Sequence, residues 1–142
     1  MSFRFIFLSS VFYQEYSDCP EIEKKSNRPY VCLLTEVDGV NFAIPMRSHI
    51  NHSYCYLTDV DNRCGVDYSK AIVLSEIRYI DKERKPYIRK NEFDALRGKE
   101  YIIESGMRKY LRSFRKAMKK PDVPRNATLI QYSTLKYFIK LL

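Results

Sequence analysis

Two histidines lie close together in a short segment that also carries an arginine and a hydroxyl group. Residues 45–52 read Pro-Met-Arg-Ser-His-Ile-Asn-His and include both histidines of the chain, His49 and His52. Histidine titrates near neutral pH, and Arg47 and Ser48 can bind phosphate oxygens. RNA cleavage without a metal needs these groups, because the ribose 2′-hydroxyl is the nucleophile and the protein supplies proton transfer and positive charge.

A predicted β-hairpin precedes this segment. Residues 30–37 are strand-like, Asp38 and Gly39 form a strong hairpin signal, and residues 41–44 predict the returning strand. Pro45 offers no backbone donor, so we expect the second strand to stop there. The residues that follow, including both histidines, are therefore expected in a loop.

The rest of the chain predicts more strands and then helices. Further strands are expected at 3–12, 54–58, 71–74 and 77–80, with a turn at 59–65. In the second half, Asn91 is a candidate N-cap for a helical stretch to about Lys119, which Gly98 and Gly106 weaken locally. We expect a brief strand near 129–131 and a final helix capped by Ser133.

These elements predict one α+β domain over residues 1–142. We expect a compact, curved antiparallel sheet or small barrel with helices packed around it and a helical C-terminal half. The long helical stretch carries an apolar stripe at three- and four-residue spacings, formed by Ile103, Met107, Tyr110, Leu111, Phe114 and Met118. Its basic residues, mostly off that stripe, are either a solvated face or a phosphate-binding track: Arg108, Arg112, Arg115, Lys116 and Lys119.

Charge and composition favour a nucleic-acid partner. The chain has 25 Lys and Arg against 17 Asp and Glu, a net charge of +8, together with 12 Tyr and 8 Phe. A basic chain attracts polyanions, and exposed rings can stack on unpaired bases. The apolar run at 3–12 lacks a small-x-small cleavage site and is interpreted as a strand, and no stretch approaches the length of a membrane span. We therefore expect a cytoplasmic protein with no membrane partner.

Metal and nucleotide-cofactor chemistry have no sequence support. Cys19, Cys32, Cys55 and Cys64 lack a C-x-x-C spacing, and the two histidines have no evident third ligand. The four thiols are expected to be free and buried. The sequence also contains no P-loop, dinucleotide-binding glycine pattern or serine elbow. We expect neither a metal nor a cofactor.

The hairpin region resembles a known toxin family. Arg28-Pro29-Tyr30 leads into an apolar strand, Asp38 and Gly39 turn the chain, and Phe42-Ala43-Ile44-Pro45-Met46-Arg47-Ser48 closes the pattern. This is similar to the toxin ribonucleases of type III toxin–antitoxin systems, the ToxN/AbiQ family and most closely its CptN-like branch. It is more distantly similar to the MazF/Kid toxins. The chain length and the helical second half also agree with those of the type III toxins.

The resemblance implies an endoribonuclease with a MazF-like sheet core. It implies products with 2′,3′-cyclic phosphate and 5′-hydroxyl ends, cellular mRNA as substrate and a role in abortive phage infection. The implied partner is a repeated, pseudoknotted antitoxin RNA, which the toxin processes and which inhibits it in a closed protein–RNA assembly.

The family pattern also implies roles for single residues. Ser48 matches the family serine, and Arg47 stands where a threonine is usual. Arg28 and Tyr30 match the arginine and aromatic residue before the first hairpin strand, which implies contacts with a phosphate or base. The family lysine after the serine has no counterpart at Ile50.

Several alternatives remain open. The role of the missing lysine passes to His49, to His52, or to Lys70 from another strand, so the general base is not assigned. Arg47 and Ser48 are the candidate phosphate ligands. A non-catalytic basic RNA-binding module would use the same residues only for binding, and a membrane-surface or protein-interaction domain would use the basic amphipathic helix.

Overall fold

A computed structural model of the chain describes residues 3–22 and 30–142. The strands are β1 (Arg4–Ile6), β2 (Cys32–Val37), β3 (Val40–Arg47), β4 (Cys55–Asp59), β5 (Cys64–Asp67) and β6 (Ile72–Val73). The α-helices are α1 (Ser10–Glu15), α2 (Lys90–Leu96), α3 (Glu100–Lys119) and α4 (Pro124–Tyr132). Short 3₁₀ helices cover Tyr68–Lys70, Ile77–Tyr79 and Thr134–Leu141. The α+β class and the helical second half are confirmed.

The six strands form one antiparallel sheet with β3 at its centre. The strand order is β1-β2-β3-β5-β4, and β6 also pairs with β3. Within the described residues the sheet is open, because β1 and β4 end the order and do not pair with each other. The predicted hairpin joins β2 to β3, and Asp38 and Gly39 both have positive φ, at 52° and 79°. Such a turn matches the twist of the strands it connects.

Strand β3 continues through Pro45 to Arg47, so the prediction that Pro45 ends the strand is wrong. Pro45 lies opposite Cys32 of β2, while Met46 N donates to Val31 O, directly before β2. Backbone groups alternate sides along a strand, so the Pro45 nitrogen faces the other side of β3. There β3 changes partner, from β6 at Ala43 to β5 at Met46, so no ladder hydrogen bond is lost.

Five other local predictions differ from the structure. The turn expected at 59–65 is shorter, because β4 includes Asp59 and a strand that was not predicted, β5, begins at Cys64. The strand expected at 3–12 stops at Ile6, because Ser9 caps α1 by accepting a hydrogen bond from Phe12 N. The stretch 77–80 contains a 3₁₀ helix, and Ile77 is exposed. The strand expected near 129–131 lies within α4, which begins with Pro124, a residue suited to the first helical turn. Helix α2 begins at Lys90, one residue before the predicted cap Asn91.

The core lies between the sheet and α3. Gly98, with φ at 72°, separates α2 from α3. The predicted stripe of α3 is buried at Ile103, Met107, Tyr110, Leu111 and Phe114, whereas Met118 is exposed. Ser133 caps the last helix by accepting a hydrogen bond from Leu135 N, as predicted. Within residues 3–22 and 30–142, no helix is both long and apolar enough to span a membrane.

A glycine on α3 allows this helix to pack closely against the segment that follows β5. A Cβ atom at Gly106 would overlap with Tyr68 Oη. Tyr68 is buried, and its hydroxyl donates to Ile103 O at 3.1 Å. Tyr68 directly follows β5, so this contact ties α3 to the end of that strand.

Candidate functional site

A buried carboxylate, Asp67, contacts both Arg47 and His52 of the segment 45–52. Asp67 is 0% exposed. Arg47 Nη1 lies 2.7 Å from Asp67 Oδ2, and His52 Nε2 lies 3.2 Å from Asp67 Oδ1. Ser69 donates to Asp67 Oδ1 from both its hydroxyl, at 2.6 Å, and its backbone nitrogen, at 3.0 Å. We call these four residues the Asp67 cluster.

The sheet register brings the cluster together. Arg47 ends β3 opposite Gly65, and Asp67 ends β5 two residues further along. Side chains two positions apart share one face of a strand, so Arg47 and Asp67 are diagonal neighbours on the same face. Asp67 also caps the 3₁₀ helix Tyr68–Lys70, which places Ser69 and Lys70 beside it.

The Asp67 carboxyl is held in its charged form. Its burial raises the pKa, but the hydrogen bonds from His52, Ser69 and Arg47 outweigh burial, and the pKa lies below its ordinary value. A charged, buried carboxylate fixes the positions of the groups that donate to it. Asp67 therefore orients the side chains of both Arg47 and His52.

The hydrogen bonds of His52 define the proton positions on its ring. Tyr54 N donates to His52 Nδ1 at 3.0 Å, so Nδ1 carries a lone pair rather than a proton. The neutral ring must then hold its proton on Nε2, which faces Asp67 Oδ1 and lies 3.1 Å from Ser69 Oγ. The side chain is 27% exposed. A histidine with one ring nitrogen against a carboxylate and a lone pair on the other nitrogen is typical of a general base.

Arg63 fixes the backbone of the loop that carries His52. Its Nε donates to Ile50 O at 2.8 Å, and its Nη2 donates to His52 O at 2.7 Å. Ile50 is buried and its backbone nitrogen donates to Arg63 O. His49, in the same loop, has φ at 55° and an exposed side chain. The loop therefore anchors His52 and leaves His49 in solvent.

The Asp67 cluster lies at one side of a cleft of about 760 Å³, which we call the larger cleft. Its cations are Arg47, Lys70 and Arg125. Lys70 Nζ also donates to Tyr132 O at the end of α4, at 3.1 Å. The other lining residues are Asn51, His52, Tyr54, Ser69, Tyr110, Thr128, Leu129 and Tyr132. Cations and tyrosines around a partly exposed histidine suit a bound polyanion with bases.

Buried hydroxyl groups from the last helix hold the cluster in place. Thr134 Oγ1 donates to Ser69 O at 3.2 Å and contacts Ala71 O. Tyr110 donates to Ser133 Oγ at 2.7 Å, and burial raises the pKa of the Tyr110 hydroxyl. Ser133 and Thr134 are both buried. They position Ser69 and the wall of the cleft without facing a ligand themselves.

The structure brings together only some of the predicted site residues. Arg47, His52 and Lys70 line the larger cleft, whereas His49 lines neither that cleft nor a second, smaller one. Ser48 and Tyr30 line the smaller cleft, which also includes Arg47. Arg28 lies outside the described residues.

The basic residues of α3 lie elsewhere. Arg108 and Arg115 approach Asp38 at 3.9 and 3.8 Å, at the hairpin turn before β3. Arg47 stands at the far end of β3, roughly 23 Å along the strand at about 3.3 Å per residue. Arg112, Lys116 and Lys119 are exposed, and no basic residue of α3 lines the described part of either cleft.

Sequence reasoning missed Asp67, Ser69, Arg125 and Tyr132. The usable signal for the first two was the order Asp-Tyr-Ser, in which an aspartate accepts a hydrogen bond from the backbone two residues later. Arg125 and Tyr132 lie on α4, where a strand was predicted. Nothing in their local sequence indicates that this helix faces the cleft.

The cysteines are all free, as predicted, but only Cys32 is buried. Burial raises the pKa of the Cys32 thiol to about 12, so this thiol stays protonated. In the ranges 3–22 and 30–142, no three His, Cys, Asp or Glu side chains are grouped so that they could hold one metal ion.

Comparison of the chain with protein-family models, with curated proteins and with solved structures finds no match.

Proposed function

We propose that this chain is a metal-independent endoribonuclease whose site is the larger cleft. The observation that carries the proposal is the pairing of both Arg47 and His52 with the buried carboxylate of Asp67. Lys70 and Arg125 add positive charge in the same cleft. A phosphate placed there would meet cations and an oriented histidine together, which is the requirement for cleavage by the 2′-hydroxyl.

In the proposed reaction the proton moves from one ribose oxygen to another through His52. His52 Nδ1 accepts the 2′-hydroxyl proton as the 2′-oxygen attacks phosphorus, and Asp67 stabilises the imidazolium through Nε2–H. The bond from phosphorus to the 5′-oxygen breaks, and His52 returns the proton to that oxygen. The products are a 2′,3′-cyclic phosphate and a 5′-hydroxyl, with no water consumed. Arg47 and Lys70 offset the charge that builds on the phosphoryl oxygens.

The toxin assignment rests on the resemblance of the hairpin region. We propose that cellular mRNA is the substrate and that a repeated, pseudoknotted antitoxin RNA is processed and then inhibits the protein in a closed assembly. The antiparallel sheet and helical second half agree with this proposal at the level of fold class. We also propose that the protein is distantly related to the MazF toxins and that it acts in the cytoplasm.

One observation favours a second candidate function, a non-catalytic RNA-binding module. Both ring nitrogens of His52 already have hydrogen-bond partners, Tyr54 N on one side and Asp67 with Ser69 on the other. Catalysis requires the substrate 2′-hydroxyl to replace Tyr54 N at Nδ1. A binding module would need no such exchange.

The deciding experiment incubates the purified protein with cellular RNA in EDTA and maps the new ends. We expect cuts with cyclic-phosphate and 5′-hydroxyl ends, and a rate at least about a hundredfold lower in His52→Ala. His49→Asn is the control, because His49 is exposed in the same loop and lines neither cleft, and asparagine tolerates its positive φ. Uncut RNA that binds tightly would support the binding module, and equal loss in both variants would remove His52 from its proposed role.

A further inference from the structure

A smaller cleft of about 430 Å³ adjoins the cluster, and Arg47 lines this cleft as well as the larger one. It lies between the sheet and the segment before α2. The lining residues that bear on a ligand are Met46, Arg47, Tyr87, Ile88, Arg89 and Glu92. A ligand group bound by Arg47 therefore lies at the border of both clefts.

The smaller cleft offers aromatic and apolar surface for a nucleobase beside the cations Arg47 and Arg89. Tyr87 is 82% exposed and offers a ring face for stacking, and Met46 and Ile88 add apolar surface. Glu92 places a carboxylate in the same wall. A carboxylate repels phosphate oxygens but accepts hydrogen bonds from the N–H groups of a base.

The carboxylate also selects among bases. Within the described part of the chain, the Glu92 side chain forms no ion pair with Arg47 or Arg89, the two arginines of the cleft. Guanine carries two adjacent donors, N1–H and N2–H, which match the two oxygens of a carboxylate. Adenine presents an acceptor at N1, which a carboxylate repels. Single-stranded RNA is commonly recognised on this base edge together with aromatic stacking.

We infer that the smaller cleft binds an unpaired guanine of the RNA strand, next to the phosphate at Arg47. Tyr87 stacks on the base and Glu92 accepts from its N1–H and N2–H. This inference rests on the proposed ribonuclease function, because it takes the phosphate at Arg47 as its starting point. It adds the substrate preference, which is single-stranded RNA with a guanine beside the cut.

The test measures binding of short 2′-O-methyl oligonucleotides, which lack the nucleophile and stay uncut. By fluorescence anisotropy, an oligoadenosine with one internal guanosine should bind about tenfold more tightly than oligoadenosine alone. Equal affinities would overturn the guanine site, whatever the cleavage assay gives. A guanine preference in a protein that cuts no RNA would support the site and reject the ribonuclease.

Variants assign the preference to the cleft. Glu92→Gln keeps the side-chain shape and should remove the guanine preference, because the neutral amide no longer accepts from both guanine donors and no longer repels adenine N1. Tyr87→Ala should weaken binding of both oligonucleotides about tenfold. Tyr101→Ala is its matched control, since Tyr101 is 76% exposed on α3 and lines neither cleft. A guanine preference that survives Glu92→Gln, in protein with an unchanged circular dichroism spectrum, would overturn the inference.

Discussion

Two of the places where arginine pairs with aspartate in this molecule, the Asp67 cluster and the hairpin turn, differ in burial. In the Asp67 cluster, Arg47 lies 2.7 Å from a carboxylate that is 0% exposed. At the hairpin turn, Arg108 and Arg115 lie 3.9 and 3.8 Å from Asp38, which is itself exposed. A buried pair fixes the direction of the guanidinium, whereas an exposed pair is screened by solvent and contributes little.

The difference separates two uses of positive charge. Arg47 is held at the junction of the two clefts, next to an oriented histidine, so its charge acts at one place on a ligand. The arginines of α3 spread their charge over an outer face and attract any polyanion. Chemistry at a phosphate needs the first arrangement, and nonspecific binding of RNA needs only the second.

The largest expected effect comes from the substitution of Asp67 by asparagine. Asp67→Asn keeps the shape but leaves the Arg47 charge without its buried partner and His52 without its orienting carboxylate. We expect the free energy of unfolding to fall by about 3 kcal/mol in urea titrations. RNA cleavage should fall at least about a hundredfold, measured at a temperature where the variant is folded.

The same substitution at the hairpin is the matched control. Asp38→Asn also removes one negative charge beside two arginines, and asparagine tolerates the positive φ at this position. We expect its free energy of unfolding and its cleavage rate to stay close to wild type, within about 0.5 kcal/mol and twofold. Similar losses in both variants would show that burial does not distinguish the two regions.

A smaller effect is expected when the buried face of α3 is changed. Gly106→Ala places a methyl group against the Tyr68 ring, next to Asp67 and Ser69. We expect a loss of about 2 kcal/mol in the free energy of unfolding, despite the higher helix propensity of alanine. Ser105→Ala, one residue earlier and without that contact, should be neutral. A Gly106→Ala protein as stable as wild type would mean that α3 does not pack closely against Tyr68.

The pH dependence of stability should also report on the buried carboxylate of Asp67. In the folded protein the pKa of Asp67 lies below the ordinary value of 3.8 that it has in the unfolded chain. The charged carboxylate therefore contributes its full stabilisation at pH values above 3.8. This contribution is lost as the pH falls through the lowered pKa. Wild type should therefore lose stability below about pH 4 more steeply than Asp67→Asn in urea titrations. Parallel curves for the two proteins would contradict a lowered pKa.

The sequence predicted the local features that a single strand or helix determines. The Asp38-Gly39 turn and the cap at Ser133 each depend on neighbouring residues, and each was found. Gly98 and Gly106 were expected alike to weaken the helical stretch, but the chain leaves the helix at Gly98 and α3 continues through Gly106. The end of β3 was missed because the tolerance of Pro45 depends on which strands lie beside it. That information is not local to the proline.

The site was predicted in part for the same reason. Arg47 and His52 stood out by their types and spacing, but their connection through Asp67 depends on the register of β3 against β5. Arg125 enters the cleft from α4, which lies far along the chain and was expected to be a strand. Ser48 and His49 adjoin Arg47 in sequence, yet His49 is exposed in a loop and Ser48 faces the smaller cleft.

The smallest effect on chemistry is expected from the outer face of α3. Replacement of Arg112, Arg115 and Lys116 together by alanine removes exposed charge far from Arg47. Cleavage of short RNAs should stay within about twofold of wild type. Binding of a long pseudoknotted transcript, measured across a salt titration, should weaken, and its salt slope should flatten by about 2 as phosphate contacts are lost.

Lys82→Ala, at an exposed position outside both clefts, is the control for loss of a single charge. An unchanged slope in the triple variant would reduce the α3 face to a solvated surface. Loss of short-RNA cleavage in that variant would instead show that α3 takes part in catalysis. The proposed difference in role between α3 and the Asp67 cluster would then be wrong. Retained cleavage together with a flatter salt dependence of binding would mean that the RNA is cut in the larger cleft, while α3 binds other phosphates of a long RNA.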